Sequence, residues 1–198
     1  MTAIVLNREE LQLGHGETVA DTARVLSSYL DAITVRTFEH RVVEELAGAS
    51  TTPVINALSN SHHPCQSLAD LLALRERFGT MAGSSGAFIG DGRSNTCNSF
   101  LAACAATGMH LVIASPRGYE TDADVLDEAR ETMTQSGGSV TLTTEPEDAV
   151  REALAVYAEV WVPMDEPQEA EERQVHLARY RVDAPLLAHA PRDAVALH

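Results

Sequence analysis

Apolar positions along this chain alternate between two rhythms, one of helical period and one of short branched runs, and the alternation is sustained from end to end. Val19, Ala23, Leu26 and Leu30 share one face of a predicted helix over 19–30. A strand rich in β-branched residues is expected over 32–36, a short helix over 41–49, and a second strand over 53–58. Pro64 suits the first turn of a helix, where its missing N–H costs nothing; that helix runs through Leu68, Leu71, Leu72 and Phe78 and stops at Gly79. After Gly83-Ser84-Ser85-Gly86 comes a buried strand over 87–89, a loop over 90–98, a small-residue helix over 99–107 and a strand over 111–114. Val125, Ala129 and Met133 mark a helix over 122–135, followed by a strand over 140–143, a helix over 146–154 and a strand over 156–162. The charged run 166–173 reads as a solvated helix face or loop. Strand and helix alternating in this way predict an α/β protein of two units, 1–80 and 81–198, each with a mostly parallel sheet.

Composition narrows the functional classes. The 198 residues are 44% hydrophobic and 22% charged, ordinary for a globular chain. Twenty-nine acidic residues against 14 basic ones give a net charge of −15. That balance argues against nucleic acid or an anionic membrane as partner, yet leaves room for an anionic substrate wherever a few arginines dominate locally. Cys65, Cys97 and Cys104 match no disulfide framework, and no apolar run has the length of a membrane span. The opening Met1 to Leu6 lacks a basic leader and a cleavage site, so a reduced, cytoplasmic protein is expected.

Four stretches carry candidate chemistry. Gly90-x-Gly92-x-x-Asn95, between a strand and a helix, reads either as a dinucleotide fingerprint lacking its third glycine or as a tight α/β turn; Arg117 beyond the next strand would suit a 2′-phosphate. The polar stretch from Arg93 to Ser99 lies at the carboxyl end of a strand, where open α/β sheets bind ligands, and Asn95 could either bind an amino acid or cap the helix. His62-His63-Pro64-Cys65 is poorly spaced for a metal, but His63 and Gln66, three apart on a first helical turn, can converge on one small anion or carbonyl. Arg36 ends an apolar strand, with the fork geometry for phosphate or, alternatively, a surface ion pair with Glu39 or Glu44. Cys97 and Cys104 read as core-packing residues.

Taken together and in order, several blocks resemble the ornithine carbamoyltransferases. They are Leu11-Gln12-Leu13-Gly14-His15-Gly16-Glu17-Thr18, Asp21-Thr22-Ala23-Arg24-Val25-Leu26, Arg36-Thr37-Phe38 and Pro53-Val54-Ile55-Asn56-Ala57-Leu58, then His63-Pro64-Cys65-Gln66, Ala69-Asp70-Leu71-Leu72, Gly108-Met109-His110 and Pro116-Arg117-Gly118-Tyr119-Glu120. The resemblance implies a carbamoyl-phosphate domain followed by a Rossmann-like ornithine-binding domain. The implied reaction moves a carbamoyl group from carbamoyl phosphate to the δ-amine of L-ornithine, giving L-citrulline and phosphate, with no cofactor and no metal. It assigns Arg36 and His63 to catalysis, and Gln12, Arg36, His63 and Gln66 to carbamoyl phosphate. Asn95, Glu159 and Met164 fall to ornithine, and the expected assembly is a homotrimer in arginine metabolism. The family's Asp-x-Trp-x-Ser-Met-Gly stands here as Glu159-Val160-Trp161-Val162-Pro163-Met164-Asp165, so a hydroxyl and a glycine are replaced in the ornithine loop. The family's Ser-Thr-Arg-Thr-Arg phosphate loop is expected before Gln12, and its His-Cys-Leu-Pro block would start at His198. The expectation is therefore a partial sequence without detectable citrulline synthesis of its own. The alternatives are an inactive truncated paralogue acting in binding or assembly, and a nucleotide-dependent oxidoreductase fragment built on the Gly90 loop.

Overall fold

The expected alternation is present in the computed structural model, which describes residues 2–7, 16–162 and 170–198. Two units, Met1–His62 and His63–His198, divide it. The first contains α1 (Val19–Ser27), β1 (Ile33–Arg36), α2 (His40–Ala49) and β2 (Val54–Leu58). Thr18 caps α1 by accepting from the Asp21 N–H. β1 and β2 pair in parallel, with α2 as the crossover, and a shift of register after Val35 brings Arg36 opposite Leu58. Ala23, Ile33, Val43 and Leu46 form the small core, while Val25, Tyr29, Phe38 and Ile55 stay exposed.

The second unit begins with α3 (Pro64–Phe78), then β3 (Ser85–Ile89), α4 (Asn95–Thr107), β4 (His110–Ala114), α5 (Ala123–Ser136), β5 (Ser139–Thr143), α6 (Pro146–Ala149) and β6 (Ala155–Ala158). α7 (Ala170–Leu177), a 3-10 turn (Ala178–Tyr180), α8 (Ala184–Leu187) and β7 (Val195–Leu197) complete it. Its five parallel strands lie in the order β5-β4-β3-β6-β7. The central strand β3 is buried on both faces: Phe88 packs with Phe100, Leu101, Leu111 and Tyr157 on one side, Ala87 and Ile89 with Val150, Val156 and Leu186 on the other. Chain order reverses between β3 and β6, which makes the carboxyl edge of that strand pair the topological switch point.

Several expectations are corrected. α4 starts at Asn95 rather than 99, because the Ser94 hydroxyl accepts from the Cys97 N–H and the polar first turn is helical and largely buried. α6 stops at Ala149 rather than 154, since Val150 and Ala153 anchor in the core and the Leu154 N–H bonds to the Ser85 carbonyl. β6 ends at Ala158 rather than 162, because its partner β3 ends at Ile89 and Gly90, at φ 139°, turns the chain away. The charged run conceals a buried residue: Arg173 on α7 is 3% exposed. α8 and β7 were too short to announce themselves by periodicity.

Candidate functional site

A cavity of about 200 Å³ opens at the switch point, lined by His63 and Gln66 from α3, Thr96 from α4, residues 157–160 leaving β6, and His198. His63 immediately precedes α3, and its N–H donates to the Ser99 hydroxyl of α4 at 2.6 Å. With Pro64 at the first helical position, His63 and Gln66 face the same opening, as their spacing predicted. The buried His63 Nδ1 has no hydrogen-bond partner among the described residues. Glu159, also lining the cavity, accepts from the Val160 N–H at 2.8 Å, and the Ser94 hydroxyl donates to its other oxygen at 3.4 Å. Asn95 is not among the lining residues; its side-chain oxygen accepts from the hydroxyl of Thr96, which is, at 3.2 Å.

Behind Gln66 stands a residue that sequence reasoning left unassigned. Asp70, 6% exposed, accepts from the Gln66 side-chain N–H at 2.9 Å and from the Tyr157 hydroxyl at 3.0 Å. Burial, and then the adjacent Asp70 charge, push the Tyr157 phenol well above its ordinary value, so it stays a neutral donor. The only sequence signal was an acidic residue one turn after Gln66, on the face the glutamine shares.

The Gly90 loop serves a different purpose from the nucleotide cradle considered above. Gly92 packs directly on the 115–121 segment: a Cβ there would lie 2.8 Å from the Ser115 hydroxyl and 2.9 Å from the Thr121 backbone nitrogen. Its N–H is taken by the Tyr119 carbonyl. Asp91, 5% exposed, fills the loop itself, bonded to the Arg93 backbone N–H at 2.9 Å and to the Arg173 guanidinium at 2.5 Å. Arg173 also donates to the Trp161 carbonyl at 2.7 Å, and both arginines lie over the Tyr119 ring, at 4.5 Å for Arg93 and 5.3 Å for Arg173. The second glycine thus admits protein, and the space a pyrophosphate would need is filled.

A larger cavity, about 370 Å³, lies between the ends of β4 and β5 along Ile113, Ser115, Glu120, Thr121 and 142–144. None of the expected site residues that are described lines it, and the lining residues include no cationic side chain, so the smaller cavity is the candidate site. Arg36 is exposed at the end of β1 in the first unit. Glu39 pairs with Arg41 at 3.0 Å instead, which disposes of one of the two ion pairs considered for Arg36. Gln12 and Met164, with Pro163 and Asp165, lie outside the described residues. Burial drives the Cys97 and Cys104 thiols far up, Cys97 against Thr121, so both are packing residues. Among the described residues no group of three or more His, Cys, Asp or Glu is placed to hold a metal ion, and no helix is long and apolar enough to cross a membrane.

Comparison with known proteins bears on this geometry. Residues 1–76 match the family described as aspartate/ornithine carbamoyltransferase, carbamoyl-P binding domain, and residues 82–198 match its Asp/Orn binding domain. The chain is 48% identical over 197 residues to the ornithine carbamoyltransferase of Bacillus subtilis, covering 100% of this chain and 61% of that protein. The solved ornithine carbamoyltransferase of Pyrococcus furiosus superposes with a TM-score of 0.90 at 43% identity, over 96% of this chain and 61% of that one. The anabolic enzyme of Campylobacter jejuni gives 0.88 at 34% identity, over 96% and 63%. The chain spans about 61% of the length of the curated relatives it matches. Gln66 thus belongs by sequence to the carbamoyl-phosphate module and Glu159 to the amino-acid module. Both modules being represented, the chain belongs to the aspartate/ornithine carbamoyltransferase family.

Proposed function

We propose that this chain provides the central part of an ornithine carbamoyltransferase, moving the carbamoyl group of carbamoyl phosphate to the δ-amine of L-ornithine to give L-citrulline and phosphate without a cofactor. One observation carries the reading: residues of both modules, His63 and Gln66 from one and Glu159 from the other, line a single cavity at the switch point of the sheet. The walls suit the two substrates. The positive end of α3, 15 residues long, favours an anion, and His63 can hydrogen-bond a carbonyl oxygen as charge develops on it. Glu159 attracts an ammonium group and repels a dicarboxylate, which favours ornithine over aspartate within the family. Holding amine and carbonyl carbon in one cavity makes their encounter local. In this reading Arg36 and Gln12 complete the phosphate contacts, Asn95 and Met164 those of ornithine. The assembly is a homotrimer, and the setting is cytoplasmic arginine metabolism.

Calorimetric titration tests it. The chain releases or absorbs heat with carbamoyl phosphate, His63→Leu loses that heat by tenfold or more in affinity (about one charge-assisted hydrogen bond), and the loaded chain then takes ornithine but not aspartate. No heat with carbamoyl phosphate, or a preference for aspartate, overturns the proposal.

A further inference from the structure

Gln66 can present either end of its amide to a ligand, and nothing in its own chemistry decides which. Its surroundings decide. The Asp70 carboxylate receives two donors, the Tyr157 O–H at 3.0 Å and the Gln66 N–H at 2.9 Å. An ionised carboxylate only accepts, so the glutamine must turn its NH₂ inward. The Tyr157 hydroxyl is already engaged with Asp70 Oδ2, its ring packed against Phe88 and Phe100, and Gln66 supplies the donor to Oδ1. We infer that Asp70 is a positioning residue that fixes the polarity of Gln66, so that the cavity meets a carbonyl oxygen, an acceptor, and selects acyl phosphates whose acyl group carries an N–H.

The expectation from spacing alone was a ring N–H and an amide converging on one ligand, with either end of the amide open. The contact to Asp70 chooses its oxygen. His63 and Gln66 then read different ends of a carbamoyl group: His63 its oxygen, Gln66 its NH₂. Selectivity for carbamoyl over acyl phosphates arises at the glutamine, and Asp70, which touches no substrate, controls it. This rests on the carbamoyl-phosphate reading of the cavity.

Three probes separate the possibilities: carbamoyl phosphate, acetyl phosphate, in which a methyl replaces the NH₂, and inorganic phosphate. The wild-type chain binds carbamoyl phosphate about tenfold more tightly than acetyl phosphate, the worth of one well-made hydrogen bond. Asp70→Leu removes the acceptor, lets the amide turn, and brings the ratio to about threefold or less while inorganic phosphate affinity stays within about twofold. Asp70→Asn keeps size and one acceptor and gives an intermediate ratio; it carries the test should the leucine variant lose its near-ultraviolet dichroism. A merely structural role would weaken all three ligands together and leave the ratio alone. Wild-type chain that binds none of the three defeats the carbamoyl-phosphate reading and the inference with it. Binding with a ratio unchanged in the folded variants defeats the inference alone.

Discussion

Two clefts flank the carboxyl end of β3, and the chain treats them oppositely. Between β3 and β4 the cleft is filled by protein, Gly92 sitting on Ser115 and Thr121 and Asp91 locked between Arg173 and Arg93, and open space resumes only beyond it, between β4 and β5. Toward β6 the cleft is left open and its walls are polar. Each cleft has its own buried aspartate, 5% exposed for Asp91 and 6% for Asp70. Asp91 is neutralised by full positive charges and acts as a pin. Asp70 is met by two neutral donors, which leaves those donors oriented. A buried carboxylate facing arginines immobilises backbone, whereas one facing an amide and a phenol sets the direction of side chains at a site.

The largest effect belongs to the pin. Arg173→Leu leaves Asp91 with the Arg93 side chain, which is 42% exposed, and releases the Trp161 carbonyl. Removing one partner of a buried pair costs about 3–5 kcal/mol, so the urea midpoint falls steeply. A loss below about 1 kcal/mol would mean that Arg93 alone satisfies Asp91.

Filling the closed cleft further comes next. Gly92→Ala forces a methyl to within 3 Å of Ser115 and Thr121 and costs about 1–3 kcal/mol, the usual range for overpacking. Cys97 reports the event, because its thiol lies 4.0 Å from the Thr121 hydroxyl and is buried and neutral. In the wild type iodoacetamide labels the exposed Cys65 only; in the alanine variant mass spectrometry finds Cys97 labelled as well. Labelling of Cys65 alone in both would show that the loop absorbs the methyl without opening.

The two clefts were unequally legible in the sequence. The open one was visible because its residues follow local rules: Pro64 starts a helix, and a spacing of three puts His63 and Gln66 on one face. Asp70 followed the same rule one turn on and was passed over, since its partner Tyr157 is 87 residues away. The filled cleft left two readings open, a nucleotide cradle and a tight turn, and the turn is the one present. A glycine pattern reports only that the backbone needs room, and Gly92 needs it for Thr121 rather than for a phosphate. Arg173 was hidden by its neighbours, a run of acidic residues whose composition spoke for solvent. The strand order could not be read from helix and strand periodicity, because β7 is three residues long and returns beside β6 from across the chain.

A smaller effect probes the open cleft. Tyr157→Phe keeps the ring between Phe88 and Phe100 and removes one donor from Asp70, costing about 1.5 kcal/mol. It also changes the alkaline limb. The folded-state phenol titrates above its ordinary value of 10, so its contribution to stability is whole below that value and is lost as pH rises beyond it. Wild-type stability therefore falls with pH above about 10, and the phenylalanine variant shows a shallower decline, retaining the part due to Tyr180, whose phenol burial also raises. Equal slopes would remove Tyr157 from the alkaline transition.

The smallest effect falls where the clefts meet. The Ser94 hydroxyl accepts from the Cys97 N–H, capping α4, and donates to Glu159 across the open cavity. Ser94→Ala removes both roles and costs about 1 kcal/mol, the ordinary worth of a cap. Ser94→Asp separates them. Aspartate caps as well as serine and suits the positive end of the helix, so α4 alone would be no weaker. It cannot donate, and it sets a second carboxylate beside Glu159, where like charges repel. Stability restored in Ser94→Asp, with Glu159 displaced and any ammonium ligand bound more tightly by the doubled charge, would show that the cap is the structural role and the Glu159 contact a matter of the site. Stability that stays at the alanine level would show instead that the hydrogen bond to Glu159 helps hold the open cleft in shape.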